Sequence, residues 1–264
     1  MTTTLDLTDP AAVRRAIRAG TFREFTNMVA PGYVQGNLVI LPERYADDFR
    51  AYCAANPRPC PLLGCSRPGQ PTIPELARDF DVRTDVGEYQ IFCDGRPAGL
   101  AHDVKDLWRP DLVAFVLGCS FSFEHVLMQA GLPLRHIAER SVSPMYVTSR
   151  ETTPAGPFAG KLVVSMRFFR AADAERAAEI TRRYPKFHGA PVHIGAPEAI
   201  GVDLANPYGG HGLTVPRGDE IPVFWACGQT THLAIATARP PLAITHSKAH
   251  MVLTDRLSDE FLES

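Results

Sequence analysis

The sequence predicts an α/β protein of mixed α and β elements, in which helices flank a mainly parallel or mixed sheet beside a smaller antiparallel lobe. The first observation is that short apolar strands alternate with helical segments in the second half of the chain, as is typical of sheets covered by helices. The second is a pair of hairpin-like segments, at residues 87–97 and 145–169. A cleft between two such lobes is the usual place for a small ligand.

The length of 264 residues fits one large domain or two small ones. We expect a single unit over residues 1–264, built from two sub-lobes. The α/β lobe comprises residues 1–84, 98–140 and 170–264. The antiparallel lobe comprises residues 85–97 and 141–169.

The first third of the chain predicts two helices around one strand. Residues 9–19 have helical spacing, with Asp9 placed as the N-cap and proline at the first helical position. Residues 34–41 have the apolar pattern of a strand, and residues 42–56 have that of an amphipathic helix. The Pro- and Gly-rich residues 60–74 indicate an irregular but ordered loop.

The middle of the chain predicts a hairpin followed by a strand–turn–helix unit. Residues 87–92 alternate apolar and polar side chains, and the Asp-Gly pair at 94–95 is a common hairpin turn. Residues 112–117 form an uninterrupted apolar run, which indicates a buried strand. Residues 125–130 predict a short helix that ends at Gly131.

The second half predicts further strands around one longer helix. Residues 145–150 and 161–169 have strand patterns, and residues 171–184 combine strong helix formers with apolar spacing. Four shorter apolar strands follow, at residues 192–195, 223–226, 242–245 and 251–253. Because ligands lie beyond the carboxyl ends of parallel strands, three loops are expected on one edge: residues 119–124, 195–203 and 227–231.

The charge balance argues against two classes of partner. With 27 basic and 29 acidic residues the net charge is −2, which leaves no electrostatic footprint for nucleic acid or an anionic membrane. No uncharged apolar run is long enough to span a bilayer. The first residues lack a secretory pattern and the six cysteines lack a disulfide-scaffold pattern, so we expect a cytoplasmic protein.

The junction between the central strand and its helix is the most informative segment. Gly118 allows a tight turn, Cys119, Ser120 and Ser122 bring a thiol and two hydroxyls, and Glu124 can move a proton. Backbone N–H groups at a helix start can also hold an anion. The alternative is structural: one of the serines caps the helix, and the cysteine packs as a small apolar residue.

A second junction follows the predicted strand at residues 223–226. It carries Cys227, Gly228, Gln229 and Thr230, which bring a thiol, an amide and a hydroxyl together. Gly228 would let the backbone approach a ligand closely. The alternative is that Thr230 caps the next helix while Cys227 only packs.

Two strand ends carry histidines. His193 lies in a segment with His188, Glu198 and Asp203, a set that could bind a metal or supply an acid and a base without one. The segment lacks the paired spacing of a zinc motif, so we expect no metal. His246, at the end of an apolar strand, is the better candidate for an acid or base near neutral pH.

No organic cofactor is expected either. Residues 156–160 resemble a phosphate loop only superficially, because they lack its Gly-Lys-Ser/Thr ending. No Gly-x-Gly-x-x-Gly motif is present. Arginine is the usual bidentate partner of a carboxylate, which makes Arg135 and Arg167 candidates for holding an acidic ligand. Arg167, between apolar neighbours in a predicted strand, is hard to explain as an ordinary surface residue.

Together these segments resemble the signature of the putative hydro-lyase family, bacterial proteins that are similar to one module of mammalian mitochondrial D-glutamate cyclase. The matching segments run through nearly the whole chain: residues 32–37, 60–64, 117–124, 143–148, 160–167, 188–195, 222–228, 244–246 and 253–255. The chain departs from the family pattern at Gln229 and, in the loop after His246, at Lys248.

The resemblance implies a hydro-lyase that acts on a small carboxylic or amino acid, and the missing metal motif makes us expect a metal-independent one. If the likeness extends to activity, D-glutamate closes to 5-oxo-D-proline with loss of water. Glu124 would then move a proton, Ser120, Ser122 and the backbone at Gly118 would hold an oxyanion, and His193 or His246 would be the partner base.

Alternatives remain open at this point. Cys119 or Cys227 could form an acyl intermediate. Substrate binding is assigned to Gly118, Arg167, Arg135, Gly228, Gln229, Thr230 and Asp203. Other functions that fit are a hydratase, an amide or lactam hydrolase on a related acid, or a non-catalytic small-acid binding protein. A homodimer is the default oligomer.

Overall fold

A computed structural model describes residues 5–210 and 212–263. The helices are α1 (Pro10–Arg18), α2 (Ala46–Ala55), α3 (Phe121–Gln129), α4 (Arg135–Ala138), α5 (Ala171–Arg182) and α6 (Thr230–Ala238). The strands are β1 (Tyr33–Pro42), β2 (Leu62–Cys65), β3 (Tyr89–Cys93), β4 (Arg96–Ala101), β5 (Leu112–Gly118), β6 (Met145–Glu151), β7 (Lys161–Arg170), β8 (His193–Ile194), β9 (Glu220–Ala226), β10 (Ala243–His246) and β11 (Val252–Leu257). Within this part of the chain, no helix has the length and apolar character needed to cross a membrane.

The strands form two open sheets. The larger has the order β2-β5-β1-β10-β3-β4, with β11 also paired to β1, and the smaller has the order β6-β7-β9-β8. The mixed class of helices and strands predicted from the sequence is confirmed. The strand direction differs from the mainly parallel or mixed arrangement expected, because all pairings between the described strands are antiparallel.

Burial on both faces explains why the larger sheet has a sequence pattern typical of parallel strands. Leu38 and Val116 pack into one apolar cluster, whereas Val39 and Phe115 pack into another with α2 and α6. Strands that are covered on both faces become continuous apolar runs, which is the usual mark of a parallel sheet. The alternation of strands with helices also favoured the prediction of a parallel sheet. In the structure, most strands that are consecutive in the sequence do not pair with each other.

The smaller sheet is also covered on both sides. Trp225 and Val223 of β9 pack with α3 and α5, and Phe224 packs on the opposite face with Met166 of β7. The hairpin at β3 and β4 belongs to the larger sheet, whereas β6 and β7 belong to the smaller one. The division into sub-lobes stays a prediction.

The central strand β1 explains how distant segments reach the same place. One of its edges pairs with β5 along residues 36–42. The other edge is shared, because β11 pairs as far as Gly36 and β10 begins at Val39. The gap between these partners lies at residues 37 and 38. The loop after His246, which joins β10 to β11, therefore lies at this gap along the edge of β1.

Local predictions hold for some elements and fail for others. Asp9 caps α1, since its carboxylate accepts a hydrogen bond from the N–H of Ala11 at 2.9 Å. Helix α3 begins at Phe121, four residues before the predicted start. Strand β2 lies inside the segment predicted as a loop. It pairs with β5 over three residues and a bulge, which is too short to leave a periodic sequence pattern.

Candidate functional site

A small cavity lies between the two sheets, where the β5–α3 and β9–α6 turns meet. Its volume is about 40 Å³, enough for a few water-sized groups. The polar side chains in its wall come from both sheets and the connecting loops: Asn37, Ser120, Ser143, Ser165, Gln229, His246 and Lys248. A ligand larger than this fits only if flexible wall side chains such as Met145 and Lys248 move.

Glu124 anchors a buried charge network behind this wall. The side chain is 2% exposed, and its Oε1 accepts hydrogen bonds from Arg167 Nη2 at 2.5 Å and Nε at 3.0 Å. His136 Nε2 lies 3.0 Å from the same oxygen. Burial opposes ionisation, but Arg167 and His136 outweigh it and hold the Glu124 pKa below its usual value. Glu124 is therefore a carboxylate at neutral pH.

Arg167 connects this carboxylate to the cavity. Its Nη2 donates to Ser120 Oγ at 2.9 Å, and its Nη1 donates to Ser165 Oγ at 3.1 Å. Each hydroxyl oxygen accepts from the guanidinium, so each O–H proton is free to point at a ligand. The guanidinium thus orients two donors and strengthens them by its charge.

The two cavity cysteines are protonated thiols. Burial raises the Cys119 pKa to about 12. Burial also raises the pKa of Cys227 above its ordinary value, and its Sγ lies 3.8 Å from Met145 Sδ. Because the thiolate is the nucleophilic form, neither cysteine is prepared for nucleophilic attack.

His246 reaches the cavity through the gap between β10 and β11. The N–H of Leu38, left without a strand partner there, donates to His246 Nδ1 at 3.1 Å. The Leu38 carbonyl lies 3.4 Å from the same nitrogen, and Nε2 lies 3.4 Å from the side-chain nitrogen of Gln229, so the ring proton can occupy either nitrogen. Burial lowers the His246 pKa to about 4. The residue is therefore a neutral imidazole at physiological pH.

Lys248 is a cavity residue that sequence reasoning did not select. Its Nζ is buried and has no hydrogen-bond partner among the described residues. Burial lowers its pKa, although the nearby Cys227 acts in the opposite direction. In the sequence, Lys248 was noted as a departure from the family pattern, and this could have marked it as a site residue. Ser165, two residues before Arg167 and therefore on the same face of β7, was also missed.

Several predicted site residues lie outside the cavity wall and have structural partners. Arg135 pairs with Glu220 at 2.5 Å. Asp203 accepts from the N–H of Ala205 at 2.9 Å and from the Asn206 amide at 2.5 Å, as in a loop cap. Ser122 exchanges hydrogen bonds with the backbone of Gln35.

His193 and Thr230 also lie outside the cavity wall. His193 is only half-buried, and its Nε2–H donates to the carbonyl of Ala196 at 2.7 Å. Thr230 Oγ1 accepts from the N–H of Val163 at 3.0 Å and donates to the carbonyl of Cys227 at 2.7 Å. Of the three loops expected on one edge, those at residues 119–124 and 227–231 meet at the cavity, and residues 195–203 contribute nothing to its wall.

The two glycines of the turns serve close packing rather than an open ligand surface. A Cβ on Gly118 would overlap the carbonyl oxygen of Lys186. A Cβ on Gly228 would overlap the side-chain amide of Asn37, and that amide donates to the carbonyl of Gly118 at 2.7 Å. Both turns are therefore locked against neighbouring backbone or side chains.

The His188–Asp203 segment does not form a cluster of ligands. His188 is buried, and its Nδ1–H donates to the carbonyl of Arg58 at 2.7 Å. Across residues 5–210 and 212–263, no three His, Cys, Asp or Glu side chains are arranged to hold a metal ion.

Comparison with known proteins identifies similar chains. The family model described as D-glutamate cyclase matches residues 113–255. A protein of Verminephrobacter eiseniae described as a "Putative hydro-lyase" is 53% identical over 251 residues, covering 95% of this chain and 91% of its own. A protein of the same description from Rhodopseudomonas palustris is 54% identical, covering 92% of this chain and 89% of its own. One from Bordetella petrii is 52% identical and covers 93% of both chains.

Proposed function

The chain belongs to the D-glutamate cyclase family, whose similar bacterial members are described as hydro-lyases, and from this premise we propose that it closes D-glutamate to 5-oxo-D-proline with loss of water. The observation that carries the proposal is the pair of hydroxyls, Ser120 and Ser165, that Arg167 orients into a cavity shared with His246 and Lys248. These are the kinds of group that the reaction requires.

The reaction forms one bond and breaks one. The substrate nitrogen attacks the side-chain carboxyl carbon, so a C–N bond forms and a C–O bond breaks. The ammonium gives up two protons on its way to the lactam N–H, and the departing oxygen gains two and leaves as water. No oxidant, reductant or further reactant is needed.

Lys248 is the base in this proposal. The substrate amine attacks only when it is neutral, so its first proton has to be taken up. Burial lowers the Lys248 pKa and increases the share of the amine form, as in other lysines that act as bases. Its Nζ has no competing hydrogen bond among the described residues.

Ser120 and Ser165 are the oxyanion donors. Attack on the carboxyl carbon places negative charge on its oxygens, and donors already aimed at that charge lower the barrier. Arg167 holds both hydroxyl oxygens, so little reorganisation is needed when the charge appears. Glu124 fixes Arg167 from behind and acts as a positioning residue.

His246 assists the departing oxygen. In the tautomer whose Nδ1 accepts from the N–H of Leu38, Nε2 carries the ring proton and donates to the departing oxygen. A neutral histidine can polarise an oxygen as a hydrogen-bond donor, as the neutral histidine of triosephosphate isomerase does. Cys119 and Cys227, as protonated thiols, line the wall and form no covalent intermediate in this scheme.

The experiment is an NMR time course with D-glutamate, L-glutamate and each enantiomer of 5-oxoproline. We expect interconversion of the D pair only. Ser120→Ala and Ser165→Ala are each expected to reduce the rate about 100-fold, the usual effect of losing one oxyanion donor. Ser149→Ala, which removes an exposed hydroxyl on β6, is the matched control. A folded protein that leaves both D compounds unchanged would contradict the proposed substrate.

A further inference from the structure

A second and much larger cavity lies apart from the first and shares no wall residue with it. Its volume is about 720 Å³, within the range of small-molecule sites. It is formed by the end of α2, the loop that follows it, the end of α5 and the segment after α5. We call it the basic groove, and its charged wall residues are Arg50, Arg58, Arg182, Lys186 and Glu263.

The groove carries more positive than negative charge. Arg50 is paired with Asp47 at 2.6 Å. Within the described part of the chain, Arg58, Arg182 and Lys186 have no carboxylate within ion-pair distance. A concave surface lined by one sign of charge concentrates oppositely charged ligands.

Arg58 has a second cation near it, Arg150, which lies outside the groove wall. Burial lowers the pKa of Arg58, and the neighbouring charge of Arg150 lowers it further. Among the described residues, no carboxylate lies within ion-pair distance of either guanidinium group. A bound anion would relieve this repulsion.

The groove is braced before any ligand arrives. The Arg58 guanidinium donates to the carbonyls of Ala190 and Pro191, and the carbonyl of Arg58 accepts from His188. His188 has a φ of 79°, a left-handed conformation that is uncommon outside glycine and is seen where surrounding structure imposes it. Such a rigid site loses little entropy when it binds a ligand.

Apolar residues complete the wall. Pro57, Pro61, Leu62, Pro185 and Pro191 lie between the charged groups. This combination of stiff apolar surface with a few charged groups is typical of sites for organic ligands. A purely inorganic ion would leave most of the groove empty.

We propose that the basic groove binds a small organic anion with at least two negative charges, held by Arg58, Arg182 and Lys186. Carboxylate and phosphate groups both match the guanidinium fork, and a carbon framework would lie on the prolines. This site is separate from the reaction proposed above and does not depend on it.

Isothermal titration calorimetry with pyrophosphate, citrate and acetate tests the site at constant ionic strength. We expect a submillimolar Kd for pyrophosphate, citrate or both, and no saturable binding of the monoanion acetate. Pyrophosphate alone assigns the site to phosphates, and citrate alone assigns it to carboxylates. The site is refuted if neither pyrophosphate nor citrate binds with a Kd below about 10 mM, which is equivalent to under 3 kcal/mol.

Helix α5 provides a matched pair of variants. Arg182→Gln removes a groove cation and is expected to weaken binding about tenfold, as the loss of one charge-assisted contact would. Arg176→Gln removes an exposed cation of the same helix that is not part of the groove, and it should leave the Kd unchanged. Equal weakening by both variants would show general charge attraction and would overturn the proposal. Circular dichroism confirms that both variants are folded.

Discussion

At the scale of single residues, burial and pairing decide what each charged side chain near the cavity can do. Glu124 and Arg167 are both almost fully buried and are joined at 2.5 Å. A carboxylate held this way accepts hydrogen bonds and does not release a proton at neutral pH. Arg167 is occupied as well, so it cannot be the free bidentate partner for a substrate carboxylate that the sequence suggested.

Replacing Glu124 tests the charge network. Removal of one partner of a buried ion pair usually costs about 3–5 kcal/mol, so Glu124→Gln should lower the free energy of unfolding by about 3 kcal/mol. Activity should fall about 100-fold because Arg167 no longer holds the two serines. Urea denaturation and the NMR assay measure the two effects.

Two further variants make this result specific. Glu124→Gln combined with Arg167→Met should recover part of the stability, because no unpaired charge stays buried, but should recover no activity. Glu139→Gln breaks an exposed pair with Arg217 and should change stability by less than about 1 kcal/mol. Full activity in Glu124→Gln would show that the network does not support the reaction.

Lys248 allows a test of charge against basicity. Lys248→Met and Lys248→Arg should both lose activity about 100-fold, because arginine keeps the charge but does not give up its proton. Wild-type kcat/KM should rise with pH as the amine form appears, with a midpoint below the ordinary value of 10.5 because burial lowers the pKa. Substantial activity in Lys248→Arg would assign Lys248 to carboxylate binding instead.

At the scale of elements, the site depends on two strand–turn–helix units that belong to different sheets. The β5–α3 unit supplies Cys119 and Ser120, and the β9–α6 unit supplies Cys227 and Gln229. The first turn follows Gly118 and the second contains Gly228, and neither glycine has room for a side chain. The glycines therefore set the distance between the two turns.

Gly118→Ala tests this element directly. Its Cβ would overlap the backbone at Lys186, and backbone cannot move aside as a flexible side chain can. We expect the free energy of unfolding to fall by about 3 kcal/mol or more, at the upper end for overpacking.

Gly131→Ala is the control variant, since φ there is 76° but nothing lies within 4 Å of the added atom. It should cost about 1–2 kcal/mol. Thermal unfolding that ranks the two in the opposite order would contradict this packing argument.

Predictability also differed between elements. The β5–α3 junction was predicted from its apolar run and its turn residues, which are local signals. The antiparallel direction of β5 was not, because it depends on pairing with β1 and β2, which lie elsewhere in the sequence. His193 and Asp203 were selected for their residue types, yet the chain directs both away from the cavity.

At the scale of the whole molecule, buried neutral histidines make stability depend on pH. Burial lowers the pKa of His188 and His246 to about 4 and that of His232 to about 3. In the unfolded chain each returns to about 6.5, so between these values the unfolded state binds more protons. Stability is therefore complete above about pH 6.5 and is lost as the pH falls towards 4.

The expected result is a steady fall in the unfolding midpoint between pH 7 and pH 4.5. Each buried histidine contributes a slope of up to about 1.4 kcal/mol per pH unit in that window. Urea denaturation across the range measures it, with His232→Gln expected to reduce the slope and the half-buried His193→Gln expected to leave it unchanged. Equal slopes in all three proteins would disprove the assignment to buried histidines.

The homodimer and the cytoplasmic location stay predictions.

The sequence by itself determined the family, the mixed class of elements, and the segments that carry reactive groups, because motif residues and apolar periodicity are local properties. Only the tertiary structure decided which of those groups share a cavity. It placed Ser165, His246 and Lys248 beside Ser120, and it paired Glu124 with Arg167. The physical reason is that strand pairing and burial are long-range: a side chain becomes an acid, a base or an anchor through neighbours that are distant in the sequence.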